Sequence, residues 1–288
     1  MDRSTYDLID AVNFSSLKHI DDCPAMYWHW QQNVEKDKDA YRLGRAFHCS
    51  VLEPQEFDTR FAVWTGGDKR KKREIWEEFQ ETNRRKDILT ATEAEQARRM
   101  GQAARANSRI GELLRGGKSE HAILWTHKGR VEVAMKGMLD HVNEEAWVND
   151  GTGAILDLKS TLHPDPDGFG RDCFKFKWYV QAALYVDGYE AATGKRLAYY
   201  LGAVGKVAPF LTQAYRVTDA DLLLGRECYE RWLDTYVTWR DAGNWPAYSL
   251  TGGERDLQMP RWAYDEDETD AGGMGVTFTK EAANGDEF

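Results

Sequence analysis

Two acidic residues and a lysine form the most informative pattern in this sequence. Asp157 and Lys159 lie two residues apart in a short apolar run, and Asp140 closes an earlier apolar stretch. The side chains of a β-strand alternate between its two faces, so a strand here would point Asp157 and Lys159 the same way. A carboxylate and an ammonium group would then meet at one site, while Leu156 and Leu158 pack into the core.

This combination suits metal-dependent hydrolysis of a phosphodiester. A strand from Val133 to Val142, which we expect to break or bend at Gly137, could bring Asp140 beside Asp157. Carboxylates from two neighbouring strands can hold Mg²⁺, which prefers oxygen ligands and keeps several waters. The lysine would orient and help deprotonate the attacking water, while the metal offsets charge on the phosphate. The ordinary alternative is a surface ion pair at a strand end, since acid-x-Lys alone is common.

Two predicted helices carry further polar groups at helical spacing. The segment YRLGRAFHCSVLEP reads as a helix that ends before Pro54, and Gly44 and His48 are four residues apart on one of its faces. In FKFKWYVQAALYVDGY, Gln181 and Tyr185 have the same spacing. The structural alternatives are a satisfied core or surface histidine, and a buried helix whose polar tips bond to the backbone.

The remaining pattern predicts an α/β sandwich with a mixed central sheet, because strands alternate with helices that can cover both faces. Thr90 and Glu93 have the spacing of a capping box before a helix that runs to about Leu114. Short helices are predicted at 15–21 and 24–33, strands at 121–127, 130–142, 154–160, 197–205 and 211–217, and a long helix from Thr218 to Ala242.

Composition indicates a cytoplasmic globular protein. The chain has 288 residues, 42% of them hydrophobic and 30% charged, which is ordinary for a domain with a large core. We find no apolar run long enough for a membrane span and no signal peptide in MDRSTYDLID, so we expect no membrane association. The four cysteines are widely spaced and form no CxxC pair, so we expect neither a disulfide framework nor an iron-sulfur cluster.

The net charge of −10 is unevenly distributed. Residues 265–288 carry −7, and we predict that this acidic, glycine-rich tail is disordered. Residues 69–118 carry +6, and a predicted helical insertion spans about 66–118 of a domain that covers 1–264. Phosphate contact is a hypothesis for the basic run in this insertion, and a solvated helical face is its alternative. The run consists of Lys69, Arg70, Lys71, Lys72 and Arg73.

Four segments resemble, in the same order, the exonuclease VIII (RecE) family of phage and prophage recombination nucleases. They are LGRAFHCSVLEP, KGMLDHV, ILDLKST and YVQAALYVDGY. Weaker matches at NFSSLKHIDDCPAMYW and NWPAYSLTGGERDLQMPRWA extend the resemblance over roughly residues 13–264. This family lies in the PD-(D/E)XK superfamily with lambda exonuclease and the RecB nuclease domain. The resemblance therefore implies a restriction-endonuclease-like core, a mixed sheet flanked by helices.

The same resemblance implies a metal site. Asp140 and Asp157 would be the metal ligands, with His48 beside the metal and the backbone carbonyl of Leu158 as a further ligand. Glu120 is a weaker candidate for an acid near a second metal, since a charged strand start is the more ordinary explanation. Mg²⁺ is the expected ion, and Mn²⁺ is expected to substitute for it.

The remaining catalytic roles also follow from the resemblance. Lys159 would be the catalytic lysine, and Gln181 and Tyr185 would line the site from their helix. The superfamily often has Glu where this chain has Asp157, and the shorter side chain leaves the ligand chemistry intact.

The function implied is a Mg²⁺-dependent exodeoxyribonuclease acting on the ends of double-stranded DNA. By resemblance it would degrade one strand 5′ to 3′, work as a ring-shaped homo-oligomer, and supply single strands to an annealing protein of the RecT type in a bacterial host. The alternatives are an endonuclease or RecB-like nuclease of the same superfamily, and a catalytically silent module that binds DNA or docks an annealing protein.

Overall fold

The computed structural model describes residues 1, 3–32, 39–130, 132–148, 151–248 and 256–259. The chain divides into two compact units, Met1–Tyr248 and Ser249–Phe288. The elements and the candidate site below belong to the first unit. The predicted disordered tail at 265–288 lies outside the described residues.

Helices and strands alternate along the first unit. The helices are α1 (Arg3–Leu8), α2 (Phe14–Leu17), α3 (Pro24–Gln32), α4 (Asp39–Leu52), α5 (Phe57–Arg60), α6 (Arg73–Thr82), α7 (Ala91–Ala106), α8 (Ser108–Leu113), α9 (Pro166–Lys175), α10 (Trp178–Thr193) and α11 (Asp219–Ala242). The strands are β1 (Phe61–Trp64), β2 (Asp87–Thr90), β3 (Lys118–Lys128), β4 (Glu132–Val148), β5 (Gly151–Thr161), β6 (Ala198–Gly205) and β7 (Thr212–Arg216).

The central sheet has the order β3-β4-β5-β6-β7. Neighbouring strands are antiparallel except for β5 and β6, which run parallel. Parallel neighbours need a crossover, and α9 and α10 form it between them. The α/β class with a mixed sheet and flanking helices is confirmed, and each predicted strand of this sheet is present.

Both faces of the sheet are buried, because helices cover each of them. Ile155 packs into the core cluster beneath α10 and α11, whereas Leu156 and Leu158 pack into a second cluster with residues of α4, α7 and α8. From the sequence, only the leucine side of β5 was expected in the core. Asp157 and Lys159 share the face of Ile155, so their charged groups lie under α10 rather than at an open surface.

Strand β4 is longer than predicted and continues through Gly137. It runs without interruption past Val142 to Val148, and Gly137 pairs with Ile123 inside the ladder. The expected break at Gly137 was therefore wrong. A Cβ atom at Gly137 would lie 3.0 Å from Cε1 of Tyr185, so the missing side chain makes room for a ring of α10.

The region after His48 contains strands as well as helices. The capping box of Thr90 and Glu93 forms at the start of α7, as predicted. The helix ends at Ala106 instead of Leu114, because Asn107 adopts an extended backbone and caps α8 by accepting bonds from two backbone N–H groups. The parallel pair β1 and β2, which α6 connects, was not predicted from the sequence.

Helix α11 closes the fold over α10. Thr218 and Asp221 form a capping box at its start, and Gly243 ends it in the left-handed conformation. The predicted span from Thr218 to Ala242 is confirmed. Among the described residues, no helix combines the length and apolar character needed to cross a bilayer.

The packing of α11 on α10 depends on a glycine. A Cβ atom at Gly225 would lie 2.5 Å from the carbonyl oxygen of Tyr179 and 2.9 Å from Cβ of Ala183. We expect Gly225→Ala to lower the free energy of unfolding by about 1–3 kcal/mol, measured by urea denaturation. Gly170→Ala in α9 is the matched control, because a Cβ there meets nothing within 4 Å. It should be neutral or stabilise by up to about 1 kcal/mol; equal effects of the two changes would contradict this account.

Candidate metal and catalytic site

Three acidic residues lie at one level across three adjacent strands. In the antiparallel register of β3 and β4, Ser119 is opposite His141 and His121 is opposite Leu139, so Glu120 and Asp140 lie between these two paired positions. The Asp140 carboxylate raises the pKa of Glu120, so the two carboxylates are close enough to repel each other.

The next strand contributes the third acid. β4 and β5 pair from His141 opposite Leu156 onward, so the next position along both strands sets Asp140 opposite Asp157. Here the Leu158 N–H donates to a side chain instead of to a backbone carbonyl: its acceptor is Oδ2 of Asp140, at 2.7 Å. Asp140 is thus the central acid, with a carboxylate on each side.

Glu120 reaches the site through an unusual backbone conformation. Its φ of 47° lies in the left-handed region, which costs energy for a residue with a side chain. Ligand atoms of His48, Glu120 and Asp140 all lie within 4.8 Å of one another. Glu120, the acid with the least support from the sequence, therefore lies in the same cluster as Asp140.

Helix α4 supplies the histidine. His48 Nδ1 lies 3.4 Å from Oδ2 of Asp140, and its side chain is half-buried. Gly44, one turn earlier, lines the same cavity, in keeping with the predicted shared face.

Lysine and glutamine complete the site on the other side of Asp157. The Lys159 ammonium lies 2.6 Å from Oδ2 of Asp157 and donates to Oε1 of Gln181 at 2.9 Å. It also lies 5.5 Å from the centre of the Trp178 ring. Strand β5 and helix α10 therefore hold the ammonium from two sides, in a fixed position beside the acids.

Two tyrosines enclose the lysine side of the site. Tyr185 is buried over Gly137, one turn after Gln181 on α10. Tyr199, which was not predicted as a site residue, is fully buried on β6, where it pairs with Ile155. Burial and the nearby Asp157 raise the pKa of Tyr199 well above its usual value, so its hydroxyl stays protonated. Only the β5–β6 register brings it here, and a single strand sequence does not reveal that register.

The acids and the histidine are electrostatically coupled. Burial lowers the pKa of His48, but the Asp140 and Asp157 carboxylates together raise that pKa above its usual range. Burial raises the pKa of Asp140, but His48, Lys159 and the Leu158 N–H together hold that pKa low. The pKa of Glu120 is raised by burial and by Asp140. Burial also raises the pKa of Asp157, with Lys159 opposing and Asp140 reinforcing the effect.

The acid cluster opens onto a cavity of about 1010 Å³. Arg45 and Arg60 line it, together with Lys118, and none of the three was predicted as a site residue. Arg45 pairs with Asp87 at 2.8 Å and Arg60 with Glu53 at 2.6 Å. Arg45 could have been found from the sequence, because it precedes His48 by three residues and so shares its helical face.

The donor set fits a divalent cation. Carboxylates and an imidazole are ligands of Mg²⁺, Mn²⁺ and related ions, and three donor atoms already converge at His48, Glu120 and Asp140. Oδ2 of Asp157 is buried and has the Lys159 ammonium 2.6 Å away, so one cation already offsets its charge. The role of the Leu158 carbonyl stays a prediction.

The basic run at 69–73 lies apart from this cluster and does not line the cavity. Lys69–Lys72 form an exposed turn, and Arg73 begins α6. The Lys69 ammonium lies 4.1 Å from the centre of the Trp76 ring, and Arg73 pairs with Glu77 at 2.7 Å.

Comparisons with known proteins agree with this fold. Residues 13–253 match the family described as a PDDEXK-like domain of unknown function (DUF3799). No curated protein matches the sequence. The chain is similar to a solved structure from Eubacterium rectale, named as a candidate exonuclease, with a TM-score of 0.56 and 14% identity. The similarity covers 90% of this chain and 95% of that one, and it shows a shared fold.

The donor set predicts that a divalent cation stabilises the protein. A ligand that binds only the folded state adds about 2.7 kcal/mol at 100 times its Kd, so Mn²⁺ should raise the melting temperature in a concentration-dependent way. Asp140→Asn should remove most of this rise, because a neutral amide is a poorer ligand than a carboxylate. Glu227→Gln, an exposed change on α11, is the control and should keep it. An equal rise in the Asp140 variant and the unchanged chain would place the cation elsewhere.

Proposed function

The chain belongs to the family of the PDDEXK-like domain of unknown function, and we propose that it is a metal-dependent nuclease that hydrolyses phosphodiester bonds of DNA. The observation that carries this proposal is the convergence of Glu120, Asp140 and Asp157 at one level of the sheet, beside an ammonium held by two further contacts. A merely structural ion pair needs one acid and one base. Three acids with one lysine leave negative charge that a cation would offset.

We propose that His48, Glu120, Asp140 and Asp157 hold the metal, with Mg²⁺ as the physiological ion and Mn²⁺ as a substitute. When bound, such an ion supplies electrostatic stabilisation of charge that develops on the phosphate. The residues of the chain hold the ligand atoms in place. Asp140 orients His48, and the Leu158 N–H orients Asp140, so the ligands are oriented before any ion arrives.

Lys159 has the role of orienting the attacking water. Its ammonium is held by Asp157 on one side and by Gln181 on the other, which limits its motion to the edge of the acid cluster. A positioned charge of this kind stabilises developing negative charge without reorganising during the reaction. Gln181 acts through Lys159, and Tyr185 supports the strand face beneath it.

We propose further that the substrate is the end of linear double-stranded DNA, with one strand degraded 5′ to 3′ in the cytoplasm of a bacterial host. The support is the RecE-like order of the four motifs, and the fold shared with a protein named as a candidate exonuclease. A ring-shaped homo-oligomer, a phage origin and a RecT-type annealing partner belong to the same proposal and rest on the motifs alone.

The lysine gives the direct test of the chemistry. We expect Lys159→Ala to lower the rate of linear duplex digestion in Mg²⁺ by at least about a hundredfold, because a positioned charge near the developing oxyanion contributes on that order. Lys159→Arg keeps the charge beside Asp157, so it should fold normally, but its planar group cannot reproduce the ammonium geometry and activity should stay low. Lys128→Ala, at the end of β3, is the control.

Substrate form separates the alternatives in the same assay. Digestion from labelled ends, with closed circular duplex left intact, supports the exonuclease. Cleavage of the circle points to an endonuclease of the superfamily, and absence of cleavage by the unchanged chain with retained DNA binding points to a silent module. Near-normal activity of Lys159→Ala would remove this lysine from the mechanism.

The basic run gives an independent test of the DNA path. If Lys69–Arg73 contact phosphates, reversing Lys71 and Arg73 to Glu should weaken binding to all DNA sequences. It should also flatten the dependence of log affinity on log salt by about one unit for each phosphate that the variant no longer neutralises. The control is the reversal of Lys128 and Lys206, and binding is measured in Ca²⁺. An unchanged slope in the first variant would place the DNA elsewhere.

A further inference from the structure

The turn between α9 and α10 exposes aromatic rings between lysines. Phe174 is 61% exposed and Phe176 is 46% exposed, whereas the aromatic residues around them are largely buried. Lys175 and Lys177 alternate with the two phenylalanines. Large aromatic side chains usually pack into the core, so exposed rings that alternate with lysines are unusual on a protein surface. They indicate a ligand that has flat apolar faces and negative charge.

One buried and one half-buried ring support the two phenylalanines from beneath. Phe174 stacks on Tyr179 with ring centres 5.7 Å apart and planes 3° apart. Phe176 stacks on Trp178 at 5.3 Å. The outer rings are therefore held in fixed orientations by the first turn of α10, and a flat partner would find them already ordered.

The lysines add positive charge at the same place. The Lys175 ammonium lies 5.4 Å from the centre of the Phe176 ring, and that of Lys177 lies 5.3 Å from the Phe174 ring. Lys177 also pairs with Asp21 at 3.1 Å, which leaves the exposed Lys175 as the principal cation of the turn. Lys177 has φ 61°, a left-handed conformation at the residue that joins α9 to α10.

The turn is directly connected to the candidate site. The Trp178 ring that supports Phe176 also contacts the Lys159 ammonium, at 5.5 Å. Gln181, which accepts from Lys159, lies one turn further along the same helix. A ligand stacked on Phe176 would thus be separated from the catalytic lysine by one indole ring.

We propose that Phe174 and Phe176, with Lys175, form a stacking platform for unpaired bases of a single DNA strand beside the catalytic lysine. The inference rests on the proposed nuclease function, which supplies the DNA. Bases offer flat faces to the rings, and the backbone between them offers phosphates to Lys175. Such stacking tolerates any base, as an enzyme that degrades DNA regardless of sequence requires.

The test measures single-strand binding separately from hydrolysis. A fluorescent oligodeoxythymidylate is titrated with the full chain in Ca²⁺, and an oligomer of the same length with abasic spacers serves as the probe without bases. We expect Phe174→Ala with Phe176→Ala to weaken binding of the oligodeoxythymidylate by roughly tenfold or more. Binding of the abasic oligomer should stay unchanged, because it engages only the cations.

Conservative variants distinguish stacking from general apolar contact. Tyr at both positions keeps an aromatic face and should retain affinity, whereas Leu at both positions keeps apolar area and should lose it. Trp147→Ala is the matched control, since Trp147 is another strongly exposed aromatic residue, 66% exposed, and lies outside the cavity lining. The melting temperature of each variant shows whether it is folded. If the double alanine variant is unfolded, the double leucine variant takes its place in the binding test.

Each outcome decides between the two proposals. Wild-type digestion of duplex DNA together with unchanged oligodeoxythymidylate binding by the Ala pair overturns the platform and leaves the nuclease intact. Affinity retained by the Leu pair, or a change of oligomeric state in the Ala pair, makes the patch a protein contact and also overturns it. Ring-dependent binding by a chain that digests no DNA supports the platform and overturns the nuclease. A wild-type chain that binds no single strand overturns the platform.

Discussion

The structure of the site depends on the repulsion among carboxylates set opposite one another on neighbouring strands. Asp140 has Glu120 across one strand pair and Asp157 across the other. Like charges in directly opposed positions destabilise a sheet. Burial beneath helices strengthens that repulsion, because fewer waters screen it. Every polar group around the three acids therefore has to supply positive charge or a hydrogen bond.

Neighbouring elements supply these partners to each acid separately. Asp140 pairs with the imidazole of His48 from α4 and accepts a hydrogen bond from the backbone N–H of Leu158 in β5. Lys159 forms an ion pair with Asp157 of the same strand, and Gln181 of α10 restrains that lysine by accepting a hydrogen bond from it. Glu120 has the fewest such contacts, and burial with Asp140 raises its pKa. The charge of Glu120, which no neighbouring cation among the described residues offsets directly, is what leaves room for a metal ion in the proposed function.

Local patterns in the sequence predicted the parts of this arrangement that local physics determines. Strand alternation placed Asp157 and Lys159 on one face, and helical spacing placed Gln181 and Tyr185 on one face of a helix that the family resemblance assigned to the site. The rest follows from long-range register. Neither the position of Tyr199 beside Asp157 nor the left-handed backbone of Glu120 has a local pattern, because each results from how separate strands align. The same limit explains the missed pair β1 and β2, two strands of four residues joined by a helix.

On the proposed function, the acidity of the site couples metal binding to DNA binding. Two arginines of the cavity are already paired with acids, Arg45 with Asp87 and Arg60 with Glu53, so they offset little of the charge of the cluster. A phosphate that reaches the metal-free cluster itself meets the carboxylates of Glu120 and Asp140, and a cation there reverses the sign of the nearest interaction. Each ligand then raises the affinity for the other by the same factor, since coupling between two binding events is reciprocal. An acidic protein can in this way act on an acidic polymer and still bind it weakly when no metal is present.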